Sequence, residues 1–158
     1  MNWKEIFQDS SFLINFKKYL IWIILILLLF RCTPSSMEKI EIKIAGEAFI
    51  VEVAREWDDQ EDGLMHRAEL GQREGMLFVY DYDKLMKFWN NNVNFPLSIA
   101  FLTKTGMIVQ IEDMKEGDPS SIYSKYSVRY AIEVNQGIFE ELGIGLNDYI
   151  IFPDDFNR

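Results

Sequence analysis

Ile40-Glu-Ile-Lys-Ile-Ala-Gly-Glu-Ala-Phe-Ile-Val-Glu-Val53 is the stretch whose reading decides the fold. Ile40, Ile42 and Ile44 alternate with Glu41 and Lys43, a period of two that suits a half-buried strand. Ala45-Gly46-Glu47 then turns the chain into Phe49–Val53, which predicts a hairpin. Similar signals recur downstream. Gly75-Met-Leu-Phe-Val-Tyr80 is a strand by its apolar and aromatic content, and Leu85–Trp89 is a weaker one. Leu97–Leu102 and Met107–Glu112 flank Thr103-Lys-Thr-Gly106, a turn with glycine at its end, and predict a second hairpin. Tyr130–Val134 and Asp148–Phe152 are further strands. Helical signals are few. Asp58 followed by Glu61 reads as a capping box opening a short helix through about His66. Gly137–Leu142, closed by Gly143, reads as one or two helical turns. The expected architecture is mostly β with a minor α part: a small antiparallel β-barrel or sandwich of seven to eight strands with one or two short helices.

The N-terminus has a different character. Tyr19–Phe30 is twelve residues without a charge, with Lys17 and Lys18 before it and Arg31-Cys32 after it. A positive region followed by a short apolar stretch is the layout of an export signal. Twelve residues at a rise of about 1.5 Å cover roughly 18 Å, short of the ~30 Å a membrane span needs. Cys32, the one cysteine of the chain, sits directly after the run and before Thr33-Pro-Ser-Ser36. This resembles a bacterial lipoprotein signal, in which the cysteine becomes the lipidated first residue. Leu29 fits the usual box, whereas Phe30 and Arg31 depart from the small residues normally found there. The alternatives are an uncleaved short anchor and a buried cytosolic helix. The expected organisation is residues 1–31 as export signal or N-terminal membrane anchor, 32–38 as tether and 39–158 as a single β-rich domain. Lys17 and Lys18 orient the chain with the domain on the extracytoplasmic face, in a periplasm or at a cell surface.

Charge and inventory exclude several classes of function. The chain carries 16 basic and 25 acidic side chains, a net charge of -9. Residues 32–158 hold 12 basic and 23 acidic groups, a net charge of -11. Such a surface repels phosphate backbones, so nucleic acid is not an expected partner. One cysteine and one histidine, His66, supply neither an intramolecular disulfide nor an ordinary zinc site. No Gly-x-Ser-x-Gly elbow or glycine-rich phosphate loop occurs. No metal and no cofactor are expected.

Three stretches carry polar groups of interest. In Gly63-Leu-Met-His-Arg67, Arg67 presents a planar fork to a carboxylate, or caps a helix or pairs with one of the many acids. Phe88-Trp-Asn-Asn-Asn-Val-Asn-Phe-Pro96 holds four asparagines within five residues. It reads either as a polar ligand loop with Trp89 as a stacking floor or as a turn-rich connection. In Tyr130-Ala-Ile-Glu-Val-Asn135, Glu133 shares a face with Ala131 and Asn135. If that face is inward, Glu133 is a buried carboxylate that needs a partner such as Arg67, Arg129 or an asparagine amide. The structural ion pair is the favoured reading.

Taken in order, these stretches resemble the family catalogued as the domain of unknown function numbered 192. The resemblance spans roughly Ile40 to Ile151. Besides the three stretches it includes Gly75–Phe78, Pro96-Leu97, Ile99–Phe101, Glu112–Gly117 and Gly137. It implies a small β-barrel-like domain, often behind an export signal, and no established activity. Trp89-Asn-Asn-Asn-Val93 stands where the family commonly has Trp-Met-Lys-Asn-Thr, and Pro96-Leu97-Ser98 where it has Pro-Leu-Asp. The polar set that still matches is Arg67, Asn92, Glu133 and Asn135.

The leading expectation is therefore a membrane-anchored, non-enzymatic module that binds a small polar ligand or serves the cell envelope. Its candidate ligand residues are Arg67, Trp89, Asn92, Glu133 and Asn135, and its candidate lipidation site is Cys32. No catalytic residue is assigned. The rival is a hydrolase or lyase on a small polar or saccharide substrate, with Glu133 as base and Arg67 as electrostatic stabiliser. A purely structural domain that binds an envelope protein is the third reading.

Overall fold

The period-two isoleucines do form a strand, buried on one face, and the central strands of the sheet it joins are buried on both. A computed structural model describes residues 18–20, 22–23 and 37–156. Residues 18–20 and 22–23 are helical, and no helix among the described residues is long and apolar enough to cross a membrane. Cys32, Thr33–Ser36 and most of the apolar run lie outside the described residues. Met37–Arg158 is a compact unit separate from Met1–Ser36.

Within that unit β1 (Glu38–Ile44) and β2 (Glu47–Ala54) make the first hairpin, paired in register from Glu38–Val53 to Ile44–Glu47. A short helix, α1 (Trp57–Asp62), and an irregular stretch lead to β3 (Glu74–Lys84), which runs parallel to β2. β4 (Lys87–Phe88) is followed by the hairpin β5 (Leu97–Leu102) and β6 (Ile108–Met114). Then come β7 (Ile122–Tyr123), β8 (Val128–Asn135), α2 (Ile138–Glu141) and β9 (Ile150–Ile151). Seven strands form one curled sheet in the order β6-β5-β8-β3-β2-β1-β9, and β4 pairs with β7 beside it. A lone bridge, Met107–Tyr149, brings the two edges of the sheet together at one end. Gly106 makes that approach possible, because a Cβ there would stand 2.9 Å from the Ile150 carbonyl oxygen.

Strand alternation divides the apolar residues into two cores. Ile42, Ile44, Val51, Leu77, Ala100, Leu102, Ile132 and Val134 face one side, closed by Phe139, Ile144 and Phe156. Met76, Phe78, Leu97, Ile99, Phe101 and Ala131 face the other side, covered by Leu64, Met86, Phe88 and Val93. Phe78, Phe88 and Phe101 meet edge to face, with centroids 4.8 and 5.8 Å apart.

The fold is the mostly β, barrel-like one expected, with three local corrections. First, the capping box is absent. Glu56, not Asp58, occupies the N-cap of α1, no side chain caps it, and the helix stops at Asp62 instead of His66. Gln60 fixes it instead, by donating to the carbonyls of Ala54, Arg55 and Val79 at 3.3, 3.0 and 2.8 Å. Second, Leu85–Trp89 contracts to the two-residue β4. Its partner β7 is too short to leave a periodic signal. Third, β2 and β3 are parallel, because the chain crosses through α1 before returning to the sheet.

Candidate functional site

Glu133 lies in the middle of β8, opposite Met76 of β3 and Ile99 of β5, both fully buried. Its face of β8 is the one that carries Ala131 into the second core, so the side chain points inward and is only 4% exposed. The partners expected for it are engaged elsewhere. Arg67 makes a bidentate pair with Glu52, which also meets Lys39 at 3.2 Å. Arg129 pairs with Asp83 at 2.8 Å. Asn135 donates to the carbonyls of Leu70 and Gly71 at 2.9 and 3.1 Å. Among the described residues Glu133 forms no ion pair. The favoured structural pair is thus corrected. β8 is flanked by apolar strands on both sides, and the two arginines sit on strand ends and loops that face other acids. Burial pushes the Glu133 carboxyl up to about 8, since an unpaired ionised carboxylate is costly in an apolar surrounding.

The carboxyl opens into a narrow cleft with about 40 Å³ of free volume, room for two or three water-sized groups. Phe78, Tyr80, Phe88 and Trp89 supply aromatic walls, and Leu64, Val93 and Leu97 supply aliphatic ones. Glu61 and Asp62 at the end of α1 and Lys87 of β4 line it as well. The Lys87 ammonium stands 5.6 Å from the Trp89 ring centroid. Tyr80 follows Met76 and Phe78 on the same strand face and sits where β3 breaks register with β8, between Val79 and Lys84. Burial, and then the charge on Glu133, pushes its phenol up to about 12. Chemically the cleft offers a buried carboxylic acid, neutral at pH 7, a neutral phenol and several π faces, beside the carboxyls of Glu61 and Asp62 and the ammonium of Lys87.

Of the five residues singled out in the sequence, the structure brings two together. Trp89 and Glu133 line the same cleft. Arg67 lines a different depression with Glu52, Lys39 and Glu69. Asn92 is an exposed turn residue with φ 61°. Asn135 ties β8 to the loop before β3. The buried asparagine of the cluster is Asn90, whose amide donates to the carbonyls of Phe95, Met114 and Lys115 at 3.1, 3.4 and 2.9 Å. Ser98, where the resemblance leads one to expect an aspartate, donates to the carboxylate of its cross-strand partner Asp113 at 2.6 Å and accepts from the Gly137 N–H. Sequence reasoning missed Tyr80 and Phe78 as site residues. Their signal was present, because residues 76, 78 and 80 alternate onto the face that meets Glu133. No cluster of metal-ligating side chains occurs among the described residues.

Solved structures share this fold, two of them as follows. One is a candidate transcription regulator from Sinorhizobium meliloti 1021, 28% identical, TM-score 0.71, covering 74% of this chain and 95% of its own. The other is a protein of unknown function from Novosphingobium aromaticivorans, 26% identical, TM-score 0.70, covering 76% of this chain and 89% of its own. No curated protein sequence is significantly similar to this chain. A family model matches residues 40–152, nearly the whole β-rich unit, and the chain belongs to that family, DUF192, described as an uncharacterized ACR.

Proposed function

We propose that this protein is a membrane-attached, extracytoplasmic module that binds a small ligand in the cleft above Glu133 without transforming it. The observation that carries this reading is a buried carboxyl with no ion-pair partner among the described residues, opening into an aromatic cleft. A buried polar group without a partner costs on the order of 1–3 kcal/mol, and a ligand that completes its hydrogen bonding recovers that. Membrane attachment rests on Lys17 and Lys18, the apolar run and Cys32. The regulator description of one structural relative is not carried over to this chain, whose charge of -11 after residue 31 opposes approach to a phosphate backbone.

The enzymatic rival retains a carboxyl whose pKa suits proton transfer near neutrality. It loses the stabiliser assigned to it, because the Arg67 guanidinium is held by Glu52 outside the cleft. The free volume of about 40 Å³ is also small for a seated saccharide ring.

A thermal-shift screen of the full chain against small metabolites tests the proposal. Compounds that raise the midpoint of the wild type and of Arg67→Ala, but not of Trp89→Ala or Glu133→Gln, place binding in this cleft. Hits that act equally on all four proteins, or turnover of any hit by the wild type, overturn it.

A further inference from the structure

Resting on the ligand-binding reading above, we infer that the cleft takes the ammonium end of an organic cation, with Glu133 giving up its proton as the cation enters. Three features point to that charge. Glu133 at the base is more than nine-tenths buried, has no ion-pair partner among the described residues and is directed into the cleft. Four aromatic side chains line the cleft with it, and the faces of such rings attract cations. One of those faces already does so, since the Lys87 ammonium lies over Trp89 at the rim. The ionisable groups facing the cleft are Glu61 and Asp62 from the end of α1, Tyr80 from β3, Lys87 from β4 and Glu133 from β8. Three of the five are carboxyls, so an anionic ligand is disfavoured. A space of two or three water-sized groups fits an ammonium and its first carbon and little more. The rest of the ligand then extends past Trp89 toward solvent.

The charge balance is simple. The free cleft holds a neutral carboxylic acid. When R–NH3+ enters, the O–H bond of Glu133 breaks, the proton leaves to solvent and a carboxylate–ammonium pair remains. One proton is released per cation bound. Because the carboxyl is pushed up to about 8, cation affinity rises about tenfold per pH unit up to that value and then levels off. A neutral ligand that accepts a hydrogen bond from the protonated acid behaves oppositely and weakens above pH 8.

The test uses the full chain, 15N-labelled, in a mild non-ionic detergent. Methylammonium chloride, acetamide and sodium chloride are titrated separately at pH 6, 7 and 8, with the Trp89 indole N–H as reporter. Methylammonium is expected to bind with a Kd on the order of 10 mM at pH 8, near the ceiling for so few atoms. The Kd should rise roughly tenfold per unit as pH falls. Calorimetry in two buffers of different ionisation heat should count about one proton released at pH 7. In Glu133→Gln, whose spectrum reports its folding, affinity should fall at least tenfold at pH 8 and the pH slope should vanish. Acetamide that binds while methylammonium does not overturns the cation inference and leaves the ligand-binding reading intact. Methylammonium bound equally by wild type and Glu133→Gln, or bound without proton release, also overturns the inference. If neither compound moves the Trp89 signal at any pH, the cation inference fails, and the thermal-shift screen decides the ligand-binding reading.

Discussion

Replacing Glu133 by glutamine should change how stability depends on pH, and the sign follows from where the proton sits. The folded carboxyl titrates at about 8 against an ordinary value of 4.5, because it is desolvated between Met76 and Ile99. The folded state therefore holds a proton that the unfolded state has already released throughout the interval between those values. Stability that depends on this group is fully present below about 4.5 and is lost as pH rises toward 8, after which it changes no further. At about 1.4 kcal/mol per pH unit, the whole window is worth about 5 kcal/mol. The part between pH 5 and pH 8 is about 3–4 kcal/mol, a large fraction of the 5–15 kcal/mol typical of a domain. Glutamine keeps the shape of the protonated acid and has no proton to lose. Urea unfolding of the full chain and of Glu133→Gln at pH 5, 6, 7 and 8 isolates this group, because every other titration is common to both proteins. The two should be similar at pH 5. At pH 8 the variant should be the more stable by about 3–4 kcal/mol relative to that starting difference. Parallel curves across the range, or a wild type that gains on the variant as pH rises, would refute the assignment of an unpaired buried carboxyl at this position.

Three further outcomes are expected. Gly75→Ala should lower the urea midpoint by the equivalent of about 1–3 kcal/mol, since the new Cβ would lie 2.5 Å from the Glu133 backbone oxygen and 3.1 Å from Val134; an unchanged midpoint would mean that β3 and β8 are not held at that separation. Asn90→Ala should cost about 1–3 kcal/mol by the same assay, because its amide serves three backbone carbonyls from Phe95, Met114 and Lys115; its effect on methylammonium affinity should be under twofold, as Asn90 does not line the cleft. In cells given radioactive palmitate the wild type should carry label and Cys32→Ala should carry none, while equal label in both would leave an uncleaved helix as the attachment.

The strands were legible because their burial is periodic. Ile42 and Ile44 alternate with exposed Glu41 and Lys43, so one face alone had to be covered. The central strands gave a weaker form of the same signal. All six residues of β5 are buried, because apolar side chains wait on both sides of the sheet, and a continuous apolar run does not say which residue faces which core. β4 and β7 are two residues each and are set by tertiary partners, among them the Ser124 hydroxyl that accepts from the Met86 N–H at 2.8 Å. The start of α1 was misread for a related reason. Asp58 and Glu61 have capping-box spacing, but the Gln60 amide, reaching one carbonyl on each of β2 and β3 and that of Arg55 just after β2, outweighs any local cap.

The site was half legible, and the missing half concerns partners. Periodicity along Tyr130–Asn135 correctly gives Glu133 and Asn135 a common face, yet it cannot tell which of the neighbouring strands brings a counter-charge. With 12 basic groups among 23 acids after residue 31, an inward carboxylate looks certain to find an arginine. Arg67 and Arg129 instead meet Glu52 and Asp83, in positions where at least one member of each pair retains contact with water. That distribution is physically coherent. An arginine drawn into the second core would have to shed its hydration among Phe78, Phe88 and Phe101, whereas a carboxyl avoids the same penalty by keeping its proton. A protein that needed only stability at this point would place a methionine or leucine opposite Met76 and Ile99. A carboxyl there weakens the fold as pH rises, and a cationic ligand that enters the cleft would offset that cost by drawing the proton off Glu133.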